Sequence, residues 1–286
     1  MLIDFHCHTT ASDGALSPRE LVRRALASNI TQFAITDHDT MLGYRDAAEY
    51  YTHNPGEMRL IPGIELSCCW SATTIHIIGL DIDADHPVLA AGLLQMMQAR
   101  QARGKKIADR LESKGFSGAW EGALRHAGDS QLGRPHFAAW LIEQGHVADF
   151  KQAFDRYLGQ GKIGDVKAFW PELAEVINWI TESGGIATLA HPMKYRYTRM
   201  KLRRLVVDFK AAGGAAVEVL SGRQTADQGQ QLQRLAKEFG LEVSVGSDFH
   251  KDGPYNPPLG VEIPKLTELR GVWDRWQQPQ QKEVGT

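Results

Sequence analysis

Short apolar runs that close on a histidine or an acid recur along this chain, and that recurrence limits its fold more than any other feature. Leu2 to Phe5 reads as a buried strand and delivers His6 and His8, which share a face at the strand period of two. Thr31 to Thr36 reads as a strand ending in Asp37-His38-Asp39, and Met58 to Ile64 leads to Glu65. Ile186 to Ala190 ends in His191-Pro192, and Glu242 to Val245 leads into Gly246-Ser247-Asp248-Phe249-His250. Barrels and open parallel sheets build their active sites at the C-terminal ends of strands, which is where these side chains fall. Thr74 to Leu80 reads as one more strand, with His76 inside it rather than at its end.

Helical patterns separate the strands. Ser17-Pro18-Arg19-Glu20 predicts a helix start, with a serine cap, proline at the first helical position and glutamate three residues after the cap. A helix through Ala47 to Tyr51 follows, and the first 80 or so residues alternate in the order that mostly gives parallel sheets. From Pro87 to about Lys167 strand character is scarce. A long helical pattern begins at Leu93, Met96 and Met97 and runs through Ile107 and Leu111 to Gly115. Shorter ones follow around Trp120 to His126, His136 to Glu143 and Phe150 to Leu158. The methionine stripe is read as packing. Alternation resumes with helices over Pro171–Ser183, Lys201–Ala212 and Gln228–Phe239, and a strand over Ala215–Leu220. Val272 to Trp276 is read as a closing helix and Gln277 to Thr286 as frayed. The expected class is α/β, a barrel of about seven units at 1–86 and 168–286 with a helical insert at 87–167. No glycine-rich loop follows a strand, which removes a dinucleotide-binding fold.

Composition narrows the chemistry. Net charge is −2 over 286 residues, so no global basic field exists to hold duplex nucleic acid. Cys7, Cys68 and Cys69 make no disulfide framework and no structural zinc cluster. No apolar run approaches the ~20 residues of a membrane span, and the chain starts directly on its first strand, so a signal peptide is not expected and the cytoplasm is. Mixed imidazole and carboxylate ligands suit Zn²⁺, Mn²⁺ or Fe²⁺. The strand-end set is larger than one ion needs. Two or three ions bridged by Glu65 and a hydroxide would clamp a phosphoryl group, lowering the pKa of the bridging water and neutralising oxygens during in-line attack.

These residues resemble the motifs of the PHP family (polymerase and histidinol phosphatase). The resemblance rests on His6-Cys7-His8, Ser12-Asp13-Gly14, Thr36-Asp37-His38-Asp39, Gly63-Ile64-Glu65, His76, Ala190-His191-Pro192 and Ser247-Asp248-Phe249-His250. It implies a distorted (β/α)7 barrel with a trinuclear site. Under it His6, His8, Glu65 and Asp248 hold one metal, Glu65, His76 and His191 the second, and Asp13, His38 and His250 the third, with the metal-bound hydroxide held by Glu65, His191 and Asp248. Gly133-Arg134-Pro135-His136 in the insert resembles a branch of 3′,5′-nucleoside bisphosphate phosphatases and 5′-to-3′ exoribonucleases on short 5′-phosphorylated RNA. Arg134 and His136 are then expected to bind phosphate, arginine offering a planar fork. Ser221-Gly222-Arg223 is read as a second anion contact.

Other readings compete. An exoribonuclease keeps the chemistry and changes the substrate, and a histidinol phosphatase fits the Gly133–His136 segment less well. Amidohydrolases also begin with His-x-His on a barrel but bridge their metals with a modified lysine, a role Glu65 fills here. A non-catalytic metal-binding module would show lost ligands, and none is missing. Asp37 and Asp39 are read as partners that orient imidazoles, and Cys7 as pointing away from the metals. Trp70, Trp120 and Trp170 are read as core rather than base-stacking platforms. Lys162 and Lys167 either attract phosphate or solvate a loop.

Overall fold

In the computed structural model, which describes residues 1–166 and 170–276, the strands form one eight-stranded sheet in the order β7-β6-β5-β4-β3-β2-β1-β8. The strands are β1 (Leu2–Asp4), β2 (Ile30–Ile35), β3 (Arg59–Trp70), β4 (Thr73–Leu80), β5 (Ile186–Leu189), β6 (Ala216–Ser221), β7 (Glu242–Gly246) and β8 (Val261–Glu262). The helices are α1 (Pro18–Ala27), α2 (Leu42–His53), α3 (Pro87–Glu112), α4 (Ala119–Ala127), α5 (Arg134–Glu143), α6 (Phe150–Ala153), α7 (Leu173–Glu182), α8 (Arg199–Ala211) and α9 (Ala226–Phe239). Lys167 and the segment 277–286 lie outside the described residues, as does the expected boundary between 167 and 168.

The sheet curls until β7 meets β1. Phe5 N–H donates to Val245 O, Asp248 N–H to His6 O at 2.6 Å and His8 N–H to Phe249 O. Gly246 makes this closure possible: a Cβ there would lie 2.3 Å from His6 Cβ and 2.7 Å from its backbone nitrogen. The result is a distorted (β/α)7 barrel. α1 opens with the expected cap, Ser17 and Glu20 bonding reciprocally, and buries Leu21, Val22 and Ala25. Leu21 and Val22 pack with Phe33, Ile35, Cys7 and Phe249 outside the barrel. Ile61, Leu66, Ile77, Leu189, Val217 and Val245 belong to the main core.

Two features depart from the expected alternation. β3 and β4 form an antiparallel hairpin, paired from Gly63↔Leu80 to Trp70↔Thr73, and β4 also runs antiparallel to β5. Its two-residue turn, Ser71-Ala72, has φ of 48° and 56°. Tight hairpins ask for such positive φ, usually through Asn-Gly or Gly-Gly, so Ser-Ala carried no turn signal. The second departure concerns the insert. Leu89 and Met96 of α3 belong to the barrel core, and at Gly92 a Cβ would meet the Trp179 ring at 2.5 Å, so this half of α3 lies tight against α7. A separate apolar cluster begins only at Ile107 and runs to Val166, with Phe137, Trp140 and Leu141 at its centre. Met96 is packing as expected, whereas Met97 is exposed.

Candidate active site

The closure of β7 on β1 brings the first and last motifs into contact. Buried Asp4 is the clasp: its carboxylate accepts from Ser247 N (2.8 Å), Gly260 N (2.8 Å) and His6 N (3.2 Å). His6 and His8 then face the barrel mouth, while Cys7, between them, points the other way and donates to Ala34 O. Gly14 keeps Asp13 close, because a Cβ there would sit 2.2 Å from His8 O.

The ligand atoms of the nine expected residues converge into four overlapping groups, each with its atoms within 4.8 Å of one another. These are His8-Asp13-His38-His250, His6-His8-Asp248, His6-Glu65-His191 and His38-Glu65-His76. Glu65 sits at the centre. Its Oε1 lies 3.0 Å from His191 Nε2 and 3.1 Å from His76 Nδ1, and its Oε2 lies 3.0 Å from His38 Nδ1 and 3.4 Å from His8 Nε2. His8 stands 3.4 Å from Asp248, its partner in the first expected set, and also 3.7 Å from Asp13, which belongs to another. His76 belongs here because β4 is antiparallel. Its N-terminal half, not its end, lies at the catalytic edge, and His76 pairs with Ser67, two residues past Glu65.

Several nitrogens in this cluster are buried without a hydrogen-bond partner among the described residues: His6 Nε2, both nitrogens of His8, His38 Nδ1 and His191 Nδ1. Buried polar atoms are normally paired, so a group of orphaned lone pairs facing carboxylates fits divalent cations. The electrostatics agree. Burial lowers the pKa of His6, but Glu218 and Glu65 outweigh it and push it up to about 10. His38 is likewise lowered by burial yet raised by Glu65 and Asp13 to about 9. Burial takes His76 down to about 4, and burial with the nearby His250 and His38 holds His8 well below its usual value. Burial raises Glu65, but the surrounding imidazoles hold it well below the ordinary carboxylate range. The acids call for positive charge at a point where divalent ions would displace protons.

Glu218, in the middle of β6, was not singled out in the sequence. Fully buried, it holds His6 Nδ1 at 3.0 Å through one oxygen and accepts from His191 N–H at 2.6 Å through the other. The first contact turns His6 Nε2 toward the cluster. The second braces His191, whose φ of 28° is in the left-handed region and precedes a proline. His250 is oriented by its own chain, with Nδ1 3.0 Å from Asp248 O. Asp37 and Asp39 do not orient imidazoles as expected. Asp37 accepts from Thr9 N, Thr9 Oγ1 and Ser12 Oγ, and so shapes the Asp13 loop. Asp39 takes Ser67 N at 2.6 Å and the Arg100 guanidinium, and ties the insert to the barrel. A short loop with two acids around a histidine gives no sequence cue to that difference.

A cavity of about 570 Å³ opens on this cluster, lined by Asp13, His38 and His76 on the barrel side and by Arg100, Arg103 and Arg134 of the insert. Arg103 donates to Val166 O, and both it and Arg100 lie over the Trp170 ring, 5.7 and 5.4 Å from its centre. Burial and the neighbouring arginines push Arg103 down to about 10. Arg134 donates to Leu158 O, packs on Phe154 and is lowered by burial. His136 lines the cavity, but its Nδ1 accepts from Gly133 N–H, capping α5, and its Nε2 is 3.3 Å from Ser130 Oγ, so both nitrogens are engaged within the insert. Trp170 is buried yet forms cavity wall, whereas Trp70 belongs to the barrel core and Trp120 is half-buried against the insert's cluster. Ser221 and Arg223 lie outside the lining. Ser221 is buried, and the Arg223 guanidinium is taken up by the carbonyls of Pro254 and Asn256. Lys194 lines the cavity and is ion-paired to Asp248. Among the described residues no helix is long and apolar enough to cross a membrane.

Known proteins resemble the chain over nearly its whole length. It is 47% identical over 273 residues to a 5′-3′ exoribonuclease of Haemophilus influenzae, covering 96% of this chain and 98% of that one. It is 39% identical over 274 residues to a 3′,5′-nucleoside bisphosphate phosphatase of Chromobacterium violaceum, covering 95% of each. A solved structure from Chromobacterium violaceum, described as an amidohydrolase with bound sulfate and no metal, superposes with a TM-score of 0.85 at 37% identity, over 96% of this chain and 95% of that one. The PHP domain model matches residues 4–182, the span that carries the motifs from His6 to His76 and the whole insert, and the chain belongs to the PHP domain family.

Proposed function

We propose that the protein removes the 3′-phosphate of nucleoside 3′,5′-bisphosphates, such as adenosine 3′,5′-bisphosphate to AMP, at a trinuclear site for divalent cations, Mn²⁺ first, with Zn²⁺ or Fe²⁺ as alternatives. The observation that carries this reading is the pairing, in one cavity, of a cation-seeking cluster with an anion-seeking one. Arg100, Arg103 and Arg134 converge there, and among the described residues only Arg100 of the three is ion-paired to an acid, Asp39. Guanidinium groups half-stripped of water favour a bound phosphate. A substrate with a phosphate at each end of one ribose satisfies both clusters at once.

His6, His8, Glu65 and Asp248 would hold one cation, Glu65, His76 and His191 a second, and Asp13, His38 and His250 a third. Bound there, the cations supply an acidified water and neutralise phosphoryl oxygens. The chain does the rest. Glu218 fixes the His6 tautomer and the strained His191 backbone, so that lone pairs face inward without reorganisation. Arg103 and Arg134, with His136 beside them, hold the 5′-phosphate and set which ester oxygen reaches the cluster. The insert, pinned by Arg100 to Asp39, limits water around the reacting phosphate.

A second reading keeps these roles and attaches another nucleotide to the 3′-phosphate, making the protein a 5′-to-3′ exonuclease on short 5′-phosphorylated RNA. The relative at 47% identity that bears that name favours it. Product release from adenosine 3′,5′-bisphosphate, 3′-AMP and a 5′-phosphorylated dinucleotide, with added Mn²⁺, tests both. The bisphosphate reading expects the bisphosphate to outrun 3′-AMP. Equal turnover of the two would remove the arginine cluster from recognition and sink it.

A further inference from the structure

A basic stretch leaves the cavity and runs onto the barrel's outer face. Lys194, Arg196, Arg199, Lys201, Arg203 and Arg204 fall within eleven residues that contain no acid, in a chain of net charge −2. The first of them, with Tyr195, is cavity wall. From Tyr195 a file of rings leads away. His191 and Tyr195 lie 5.5 Å apart edge to face, Tyr195 and Tyr197 5.6 Å apart, and Tyr197 and Trp70, at the β3–β4 hairpin tip, 5.8 Å apart. Lys201 caps this file, 4.1 Å from the centre of Tyr197 and 5.8 Å from that of Trp70.

The charges on this face are unevenly spent. Arg203 is paired to Glu238 on α9, and Arg199 lines the shallow groove beside that pair. On the hairpin side Asp208 is the local acid, and it accepts from Trp70 Nε1. The side chains of Arg196 and Arg204 are exposed and have no hydrogen bond or ion pair among the described residues. Arg196 is held in the left-handed region at φ 51°, directly after Tyr195. A surface that sets exposed cations beside the half-buried Tyr197, next to the cavity of a phosphoester site, matches the chemistry of a single-stranded nucleic acid: phosphates on the cations, a base on the ring.

We propose that Tyr197 with Arg196, Lys201 and Arg204 forms the path for the nucleotides that lie 3′ of the scissile phosphate in a single-stranded RNA substrate. The proposal rests on the exoribonuclease reading above. It assigns the 5′ end to the insert and the 3′ continuation to the α8 face. It also separates substrates by length, because a nucleoside bisphosphate or a dinucleotide ends before the path begins.

The test compares adenosine 3′,5′-bisphosphate, a 5′-phosphorylated dinucleotide and a 5′-phosphorylated octanucleotide, at several salt concentrations. The triple variant R196Q/K201Q/R204Q removes exposed or half-exposed charges and no core. It is expected to raise KM for the octanucleotide at least tenfold, and to flatten log KM against log salt by about 2, at about 0.7 per lost phosphate contact on single strands. Its turnover of the two short substrates should stay at the wild-type level. Tyr197→Ala is expected to weaken the octanucleotide about tenfold through lost stacking, with an unchanged salt slope. An octanucleotide KM and salt slope unchanged in the triple variant, or an equal loss on all three substrates, overturns the path while leaving the exoribonuclease reading intact. Wild-type protein that hydrolyses the bisphosphate but releases no nucleotide from either oligonucleotide overturns that reading, and the path with it.

Discussion

The barrel rim and the helical insert face the same cavity but are built for opposite charges and held in opposite ways. On the rim, side chains are fixed by backbone closure: Asp4 clasps three segments, Gly246 admits His6, and Glu218 braces His191. What the rim presents is lone pairs, several without a protein partner. The insert presents N–H groups, and its arginines are steadied by carbonyls and rings, Arg103 by Val166 and Trp170, Arg134 by Leu158 and Phe154. On the proposed function, reaction falls to the rigid side and recognition to an added element, a division that lets the insert change its substrate without disturbing the rim.

That division is broken or sharpened by substitution. Glu65→Gln strikes the centre of the rim, where one carboxylate meets five imidazoles. Loss of at least about 10³ in kcat is expected, with fewer bound metal ions per chain by elemental analysis and unchanged far-UV circular dichroism. Retained turnover would dissolve the comparison. Glu218→Gln leaves every ligand in place and loosens two of them. Metal affinity and kcat should fall about 10- to 100-fold, and excess Mn²⁺ should restore part of the rate. On the insert side, Arg103→Gln or Arg134→Gln should lower kcat/KM for the bisphosphate about 10- to 100-fold by removing a charge-assisted contact. Turnover of 3′-AMP should not move. A parallel loss on 3′-AMP would mean the insert acts on the rim after all.

The rim was the more legible half, and the reason is geometric. A candidate ligand at a strand end announces itself, because the apolar run stops and a His or acid follows, as at His6 and Asp248; Glu65 was read the same way, but it lies inside β3, which runs on to Trp70. His76 lay inside its strand and looked out of place only because the antiparallel hairpin was hidden by a Ser-Ala turn. Glu218 and Asp4 were invisible for another reason: each sits within or at the edge of an apolar run that reads as ordinary strand, and only tertiary closure shows what the carboxylate grips. The insert was read as helices without a surface. Arg100 and Arg103 sit on α3 among several other basic residues, and periodicity cannot say which of them a fold will aim into a cavity. Arg223 had the strand-end signature, yet nearby carbonyls absorb it. A basic residue finds acceptors almost anywhere, whereas imidazole clusters do not assemble without cause.

The smallest effect concerns the metal-free protein, and its sign follows from the carboxylates around His6. Its folded-state pKa is raised from 6.5 to about 10, with Glu218 and Glu65 outweighing burial. A raised pKa contributes stability that is fully present below the unfolded value and lost as pH rises through the folded one. His38, raised to about 9, acts in the same direction, while the depressed Glu65 and Asp13 contribute only above the ordinary carboxylate range and lose their share on acidification. After chelation, the melting temperature should therefore fall as pH is raised from about 6.5 towards 10, and fall separately at acid pH. Cations take over the protons' place among the acids, so metal-loaded protein should show a flatter alkaline limb in the same calorimetric series. Equal slopes with and without metal would mean that the orphaned nitrogens of the rim are not where the cations bind.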